Sequence, residues 1–422
     1  MKTLVLGAGV IGTATAYYLA RHHGHEVHVL DRQPGPARET SYANGCILHT
    51  SETEPWSRPG MPLTVLRWLG REDAPFLPRY GAIPHMWRWG LAFVRNCRPE
   101  RFHRNALANM RLAHLSLESV REARAETGIA YDHLESGSMK IFSDERTMAQ
   151  AVAACEALKP HGLDFEAVGA RRAVELEPAL APTADDLVGA LYYPPDETGD
   201  CHKFTAALKD HCERTLGVRF HFDTPVRALE RSGDRIVAVQ TERGTPMTGD
   251  DVVVALASYT PRLLRPLGIR VPIYPVKGLT ITMPGAPWPG RPRTPLIDDA
   301  RMFALTPLGD RLRVAGSAEI AGYDATPSRA RCQAIAANAI GRFPELAKCY
   351  DPATAAYWAG LRPMTPQGTP CLGRTPIRNL FLNAGHGHLG WTLSMGAARV
   401  AAAVVAGREP GIDLTGLTLD GR

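Results

Sequence analysis

The sequence predicts an α/β fold of two domains, and its N-terminal pattern carries most of that prediction. Residues 2–6 form an apolar run that leads directly into a glycine-rich turn at residues 7–12. Residues 13–21 favour a helix, and a second apolar run at residues 27–30 ends in Asp31. Strand, glycine turn, helix, strand and acid, in this order, predict a Rossmann-like dinucleotide-binding unit.

Each residue type in this unit has a physical role. Gly7 permits the tight turn, Gly9 lets a pyrophosphate approach the backbone, and Gly12 lets the helix pack closely on the strand. Asp31 lies about 20 residues after the turn, where a carboxylate can accept from a ribose hydroxyl. This pattern alone does not separate NAD from FAD. The residues of this unit predicted to bind the nucleotide are Gly7, Gly9, Val10, Ile11, Gly12, Asp31 and Arg32.

Composition is that of an ordinary folded enzyme. Of the 422 residues, 45% are apolar and 22% charged, and the net charge of +5 comes without a dense basic run, so nucleic acid is not an expected partner. The eight cysteines form no C-x-x-C pair, which predicts free thiols and no metal site. Without a signal peptide or a transmembrane stretch, the expectation is a cytoplasmic protein, at most peripheral on a membrane.

The middle of the chain predicts helices and a second sheet. Residues 85–97 favour a helix with aromatic and cationic faces, which could contact a membrane surface. Packing in the core is the preferred interpretation, because aromatic stripes usually face inward. Residues 251–257 predict a strand buried on both faces. Residues 272–283 begin a predicted second sheet, which continues through residues 301–306 and 312–315 on the substrate side.

A second glycine-rich turn, at residues 384–392, lies between an apolar strand at residues 379–383 and a helix at residues 393–406. Since the first turn already provides a phosphate site, the start of this helix can face another negative group. A reduced flavin carries such a charge on its N1/O2 edge, so the turn favours a flavin over a nicotinamide. A purely structural turn is the alternative.

Nearly the whole chain resembles, in order, the bacterial D-amino acid dehydrogenase (small subunit) family of the FAD-dependent D-amino acid oxidase superfamily. The segments that carry the resemblance are residues 7–12, 31–37, 39–44, 95–97, 127–131, 196–201, 274–278, 360–366 and 383–392. The resemblance implies non-covalent FAD and the oxidation of a C–N bond: hydride passes from the substrate Cα to flavin N5, and the imine hydrolyses to a 2-oxo acid and ammonia. It also implies a quinone as electron acceptor and loose attachment to the inner membrane.

The resemblance assigns further site residues. Arg362 would hold the substrate carboxylate, a role that suits a planar bidentate donor, and Tyr274 would contact the carboxylate or the amine. His49 and His386 complete the predicted catalytic set. The additional FAD contacts implied are Ser41, Asn44, Gly45, Val226, Ala255, Gly385, Gly387, Gly390, Trp391 and Thr392.

One loop departs from the family. After Asn44 the dehydrogenases usually continue Ala-Gly-Gln-Ile-Ser-Pro-Gly, whereas this chain has His49 and Glu52 in the segment that follows. These side chains could favour a polar or cationic substrate, or a secondary amine. His388 stands where a small residue is more usual. No general base is evident, and none is needed if the amine binds neutral; the rate should then rise with pH through the titration of the amine.

The implied architecture has an FAD-binding domain of residues 1–50, 196–266 and 352–422. A discontinuous α+β substrate domain of residues 51–195 and 267–351 is expected on a mixed, largely antiparallel sheet. Two other functions stay open. One is an oxidase or dehydrogenase of glycine, an N-substituted glycine or a cyclic imino acid such as hydroxyproline. The other is a non-catalytic FAD-bearing subunit. An NAD-only dehydrogenase is the weakest interpretation, because it leaves the second glycine turn unexplained.

Overall fold

The computed structural model describes residues 1–72, 74–242 and 244–420. Its strands are β1 (Lys2–Leu6), β2 (Glu26–Leu30), β3 (Ile47–Leu48), β4 (Phe76–Pro78), β5 (Ser138–Phe142), β6 (Glu166–Gly169), β7 (Gly189–Tyr193), β8 (Glu197–Thr198), β9 (Arg219–His221), β10 (Val226–Ser232), β11 (Arg235–Thr241), β12 (Asp251–Val254), β13 (Tyr274–Pro284), β14 (Leu296–Asp298), β15 (Phe303–Leu308), β16 (Arg311–Ile320), β17 (Ala356–Met364), β18 (Cys371–Arg374) and β19 (Leu380–Ala384). Its α-helices are α1 (Val10–His23), α2 (Met61–Trp68), α3 (Ile83–Asn96), α4 (Pro99–Thr127), α5 (Glu145–Leu158), α6 (Ala170–Leu176), α7 (Cys201–Leu216), α8 (Thr260–Leu264), α9 (Arg329–Arg342) and α10 (Ser394–Val405).

A six-stranded sheet in the order β18-β19-β12-β1-β2-β9 forms the first layer, and all its neighbours are parallel except β18 and β19. Its central strands are buried on both faces, as their continuous apolar sequences predict. Val5 and Val253 face a core shared with α1, α7 and α10. Leu4 and Val252 face the opposite core, which the hairpin β10–β11 and α8 cover. The sequence pattern and the three-dimensional layering therefore agree.

A nine-stranded sheet forms the second layer. Its path is β17-β13-β16-β15-β14-β5-β7-β6, and β4 pairs with β16. Most pairs are antiparallel, while β14–β5 and β16–β4 are parallel, so the predicted mixed, largely antiparallel sheet is confirmed. Helix α9 packs on one face through Cys332, Ile335 and Ala336. The two short strands β3 and β8 pair where the two layers meet.

The predicted fold class is confirmed, and the predicted domain boundaries remain a prediction. Strand β17 comes from the segment assigned to the nucleotide domain, yet it is hydrogen-bonded to β13 of the second sheet. Asp200 caps the N-terminus of α7, since its carboxylate accepts from the backbone N–H groups of His202 and Lys203. Among the described helices, none combines the length and apolar character needed to cross a membrane.

The core interpretation of the aromatic helix is wrong for one of its faces. Helix α3 partly buries Trp89, whose Nε1 donates to the carbonyl of Met364 at 2.9 Å. Trp87, Leu91 and Val94 on the same helix are exposed. The helix turns by about 100° per residue, so Trp87 and Trp89 point to different sides and do not form a single stripe.

Candidate active site

The first glycine turn is as tight as its sequence predicts. Gly7 has φ of 108°, which side chains disfavour. A Cβ on Gly12 would lie 1.8 Å from the carbonyl oxygen of Gly7, so only glycine lets α1 lie against β1 there. Ser41 supports the turn from the following loop, since its Oγ accepts from the backbone N–H of Val10 at 3.1 Å. The N-terminus of α1 thus opens onto the cavity beside the turn, where it would stabilise an anionic phosphate.

Asp31 stands at the end of β2, where the nucleotide-binding pattern places it. Its carboxylate accepts from the backbone N–H of Ala8 at 2.6 Å and of Gln33 at 2.8 Å. Burial raises the pKa of Asp31, and these two hydrogen bonds oppose that rise. Arg32 lies over the Tyr259 ring at 3.9 Å and binds Glu39. The carboxylate is therefore fixed in orientation beside the turn, with further acceptor capacity for a ribose hydroxyl.

One cavity of about 1200 Å³ runs from this turn to the second sheet. Its volume suits a dinucleotide together with a small substrate. The predicted residues that line it are Gly7, Gly9, Val10, Ile11, Asp31, Arg32, Ser41, Asn44, Gly45, His49, Val226, Ala255, Arg362, His386, Gly387, Gly390, Trp391 and Thr392. The cavity begins at the carboxyl ends of the parallel strands, where ligands of open α/β sheets bind.

Three predicted site residues lie outside this lining. Gly12 is packed beneath the first turn. Gly385 has φ of 84° and packs against Thr365 and Ile273, so it contributes to the shape of the second turn without lining the cavity. Tyr274 lines a separate groove with Lys277 and Tyr323, and its ring centroid is 6.3 Å from that of Trp89. It is the first residue of β13, before the register shift between Lys277 and Leu279 that changes the course of the strand. The structure does not bring Tyr274 together with Arg362 in the cavity.

The second glycine turn contributes polar atoms with no partner in the described chain. His386 Nε2 and Trp391 Nε1 are both buried and unpaired, although each residue lines the cavity. Buried polar atoms of this kind normally have a hydrogen-bond partner, so they indicate a polar ligand at this wall. Trp391 is fixed by edge contact with Phe204 at 4.8 Å, and Thr392 Oγ1 accepts from the backbone N–H of His49 at 3.2 Å.

Burial keeps two histidines of this turn neutral. It lowers the pKa of His386 to about 3, and it is the largest cause that lowers the pKa of His388 to about 3. His388 stacks on Trp56 at 5.0 Å between ring centroids. Neutral imidazoles can donate or accept hydrogen bonds here without adding positive charge to the wall of the cavity.

These pKa values predict an acid-sensitive fold. The unfolded chain protonates each histidine below about pH 6.5, while the folded chain resists protonation down to about pH 3, so the free energy of unfolding falls as the pH drops through this window. His386→Gln should reduce the pH slope of the unfolding free energy by about 1 kcal/mol per pH unit near pH 5. Guanidinium unfolding at a series of pH values measures this slope. The exposed control His103→Gln should keep the wild-type slope, and an unchanged slope in His386→Gln would contradict the prediction.

Arg362 is a cation without a carboxylate partner among the described residues. Its Nη1 donates to the carbonyl of Ser317 at 3.1 Å, and its guanidinium lies 5.5 Å from the centroid of the Trp56 ring. Burial lowers the pKa of Arg362 to about 10, which leaves the group charged at neutral pH. Gly278 makes room for it, because a Cβ there would lie 2.3 Å from the guanidinium carbon. A charged fork with donors left over, facing a cavity, is suited to bind an anionic carboxylate.

Further polar groups, which the sequence did not assign to the site, lie in the wall of the cavity or directly behind it. Lys140 of β5 lines the cavity and binds Glu52 at 3.2 Å and Asp299 at 3.5 Å. Asp196 is fully buried behind His49. No local pattern points to Lys140 or to Trp56, since only contacts between distant parts of the chain bring them to the cavity. Asp196 lies in a turn that the sequence does predict. The hydroxyl side chains of Thr50 and Ser51, which donate to the Asp196 carboxylate, are the only sequence feature that could have indicated its buried position.

Comparison with known proteins agrees with this geometry. The family profile described as FAD dependent oxidoreductase (DAO) matches residues 2–404. The D-amino acid dehydrogenase of Rhizorhabdus wittichii is 45% identical, with 100% of both chains covered. That of Dechloromonas aromatica is 44% identical over 97% of this chain and 98% of its own. Among solved structures, glycine oxidase from Geobacillus kaustophilus has a TM-score of 0.76 at 23% identity, covering 100% of this chain and 98% of its own.

The residues fit FAD on structural grounds as well. The glycine turn leaves space for a pyrophosphate, the carboxylate of Asp31 is fixed beside it, and the second turn offers unpaired polar atoms at the far end of the same cavity. A nicotinamide enzyme has no need of that second polar wall. From its glycine turn, its two sheets and the full-length match of its sequence, the chain belongs to the DAO family of FAD-dependent oxidoreductases.

Proposed function

We propose that this chain is an FAD-dependent amino acid dehydrogenase that acts on D-amino acids. The observation that carries the proposal is Arg362, a partly buried cation without an anionic partner among the described residues, in the cavity that also has the nucleotide-binding turn. The names of the full-length relatives, D-amino acid dehydrogenase, support the substrate class. The products are expected to be a 2-oxo acid and ammonia, formed by hydrolysis of the imine.

Each part of the site has a role in this reaction. Arg362 would bind the substrate carboxylate through two parallel hydrogen bonds, which fixes the position of Cα. Trp56 lies beside that guanidinium and would shield it from water when substrate is bound. FAD, when bound, accepts the hydride that leaves the substrate Cα. Gly7, Gly9 and Asp31 would hold its nucleotide half, and the turn of residues 385–392 would hold its ring.

The proposal is tested by product and acceptor analysis. Anaerobic incubation of the protein with D-alanine and a water-soluble quinone should give pyruvate, ammonia and quinol in equal amounts. Rapid hydrogen peroxide formation in air, with little quinone reduction, would instead indicate an oxidase. Turnover only of glycine, N-substituted glycines or hydroxyproline would contradict the D-amino acid assignment. Bound FAD with no turnover of any amine would indicate a non-catalytic subunit.

We also propose that the electron acceptor is a membrane quinone, reached from a docking face formed by α2 and α3. Leu66 is 66% exposed and Trp87 is 55% exposed, and further exposed apolar residues surround them. Basic residues are interleaved on the same helices, including Arg67 and Arg88. Apolar side chains beside cations are the pattern of a peripheral contact with anionic lipid. The same helices line the cavity through Met61, Thr64, Trp68 and Phe93, so this face adjoins the site of oxidation.

Removing apolar side chains from this face should release the protein from membranes. The double variant Leu66→Ser and Trp87→Ser is expected to bind phosphatidylglycerol vesicles about 10-fold or more weakly, because its buried apolar area is lost. Vesicle flotation measures the bound fraction. The matched control is Val237→Ser, an exposed position on the hairpin β10–β11. Equal binding of the double variant and the control would contradict the assignment of this face.

A further inference from the structure

His49 and Asp196 form a buried pair at the wall of the cavity. His49 follows β3 and lines the cavity, and its buried Nδ1 lies 3.4 Å from Oδ2 of Asp196, within ion-pair distance and without another hydrogen-bond partner among the described residues. The backbone N–H of His49 donates to Thr392 Oγ1 at 3.2 Å, which ties the loop to the second glycine turn. Asp196 is fully buried and accepts further hydrogen bonds from the backbone of Thr50 and from the hydroxyl of Ser138. Both side chains are thereby fixed in place.

The carboxylate determines which imidazole nitrogen carries the proton. Burial alone would raise the pKa of Asp196, but the close contact with His49 and the hydrogen bonds from Ser51 and Ser138 hold that pKa below its usual range. An ionised carboxylate can only accept, so it favours a proton on His49 Nδ1. The other nitrogen, Nε2, is then left as a hydrogen-bond acceptor, as in other pairs where a carboxylate orients a histidine.

We propose that Asp196 is a positioning residue for His49, and that His49 Nε2 removes a proton from the substrate ammonium group before oxidation. This inference rests on the proposed function. One N–H bond of the ammonium breaks and one N–H bond forms on the imidazole, so a positive charge moves from substrate to His49 and no electron is exchanged. The amine lone pair then becomes available to form the C=N bond as the hydride leaves Cα.

The positive charge that this step places on His49 lies near carboxylates. The charged and titratable groups that act on its ring are Asp196 behind it, Glu52 and His388. Burial alone would raise the pKa of Glu52, but Lys140 and His49 hold it below its usual range, so Glu52 is ionised. Burial keeps His388 neutral. Two carboxylates therefore interact electrostatically with the ring, and the cation Lys140 is paired with Glu52.

The pH profile of kcat/KM tests the proposal directly. The probes are D-alanine and β-chloro-D-alanine, whose amines titrate at different pH values. In the wild type we expect the same acid limb for both substrates, because the limb reports an enzyme group. In His49→Gln and in Asp196→Asn the limb should move to higher pH and follow each amine, because only substrate that is already neutral then reacts. At neutral pH, kcat/KM should fall about 100-fold in each variant.

Two further measurements separate positioning from a merely structural role. The double variant should lose no more activity than His49→Gln alone, because Asp196 acts through His49. Nitrogen NMR of the labelled histidines should show His49 protonated on Nδ1 in the wild type, and Asp196→Asn should change that tautomer. Asp144→Asn, which keeps a helix-capping side chain on α5, is the matched control and should retain the wild-type profile.

Specific results would overturn the inference. A wild-type acid limb that follows the amine of each substrate would show that no enzyme base acts. A proton on His49 Nε2 in the wild type, or additive losses in the double variant, would also contradict it. Each of these results is compatible with oxidation of D-amino acids, so it would leave the proposed function intact. Failure of every D-amino acid to reduce the bound flavin would instead reject the proposed function and, with it, this inference.

Discussion

Arg362→Gln is expected to lower kcat/KM for D-amino acids by about 10³-fold, because it removes two charge-assisted hydrogen bonds to the substrate carboxylate. Arg362→Lys should recover only part of the loss, since an ammonium keeps the charge but lacks the planar fork. Steady-state kinetics with D-alanine measures both effects. The matched control is Arg374→Gln on β18, an exposed arginine far from the lining of the cavity. A loss of less than 10-fold in Arg362→Gln would contradict the assigned role.

The stability of the same variant distinguishes substrate binding from a structural ion pair. Desolvation lowers the pKa of Arg362, and no carboxylate among the described residues compensates for it. Replacing it should therefore leave the free energy of unfolding unchanged or slightly raised, since a buried charge is costly. A structural ion pair would behave in the opposite way, and its loss would destabilise the fold by about 3 kcal/mol or more. Denaturant unfolding of wild type and variant separates the two outcomes.

Gly12→Ala is expected to give a protein without FAD. The new Cβ would lie 1.8 Å from the Gly7 carbonyl oxygen, so α1 must move off β1 and the phosphate site is lost. Absorbance of the purified protein measures the FAD content, which should fall at least about 10-fold. The matched control is Gly169→Ala, where a Cβ would meet nothing within 4 Å.

Gly9→Ala covers the case in which Gly12→Ala does not fold. Its Cβ would lie 3.3 Å from Ser41 Oγ, a contact that a small adjustment of one side chain relieves. The unfolding free energy without cofactor should therefore stay near that of the wild type. Affinity for FAD should still fall about 10-fold or more, because the methyl group occupies the space where the pyrophosphate approaches the backbone. Unchanged affinity would mean that the phosphates bind elsewhere.

The sequence predicts the nucleotide half of the site well because that half is local. Gly7, Gly9, Gly12 and Asp31 lie within one strand–helix–strand unit, and short-range geometry determines where each one points. The second glycine turn is recognisable for the same reason. The buried strands of the first sheet also follow from their uninterrupted apolar sequences.

The substrate half depends on contacts that local patterns do not contain. Lys140 and Arg362 face one cavity because β5 and β17 belong to one sheet, although four other strands separate them. The family resemblance identified Arg362 as the residue that binds the carboxylate. That Arg362 has no carboxylate partner among the described residues is seen only in the structure. Tyr274 was assigned to the site by its motif, whereas its place before the irregularity in β13 leaves it in another groove. Asp196 gains its role only through the fold, which packs its turn behind His49.

The central claim, that this chain oxidises D-amino acids with FAD, is tested most directly by mixing the yellow protein anaerobically with matched enantiomers. Alanine, methionine and lysine, each as the D and the L form, provide three pairs. The flavin absorbance should bleach with the D enantiomers, remain with the L enantiomers, and return when quinone is added. Bleaching by L enantiomers or by N-substituted glycines alone, or no bleaching by any of these compounds, would contradict the claim.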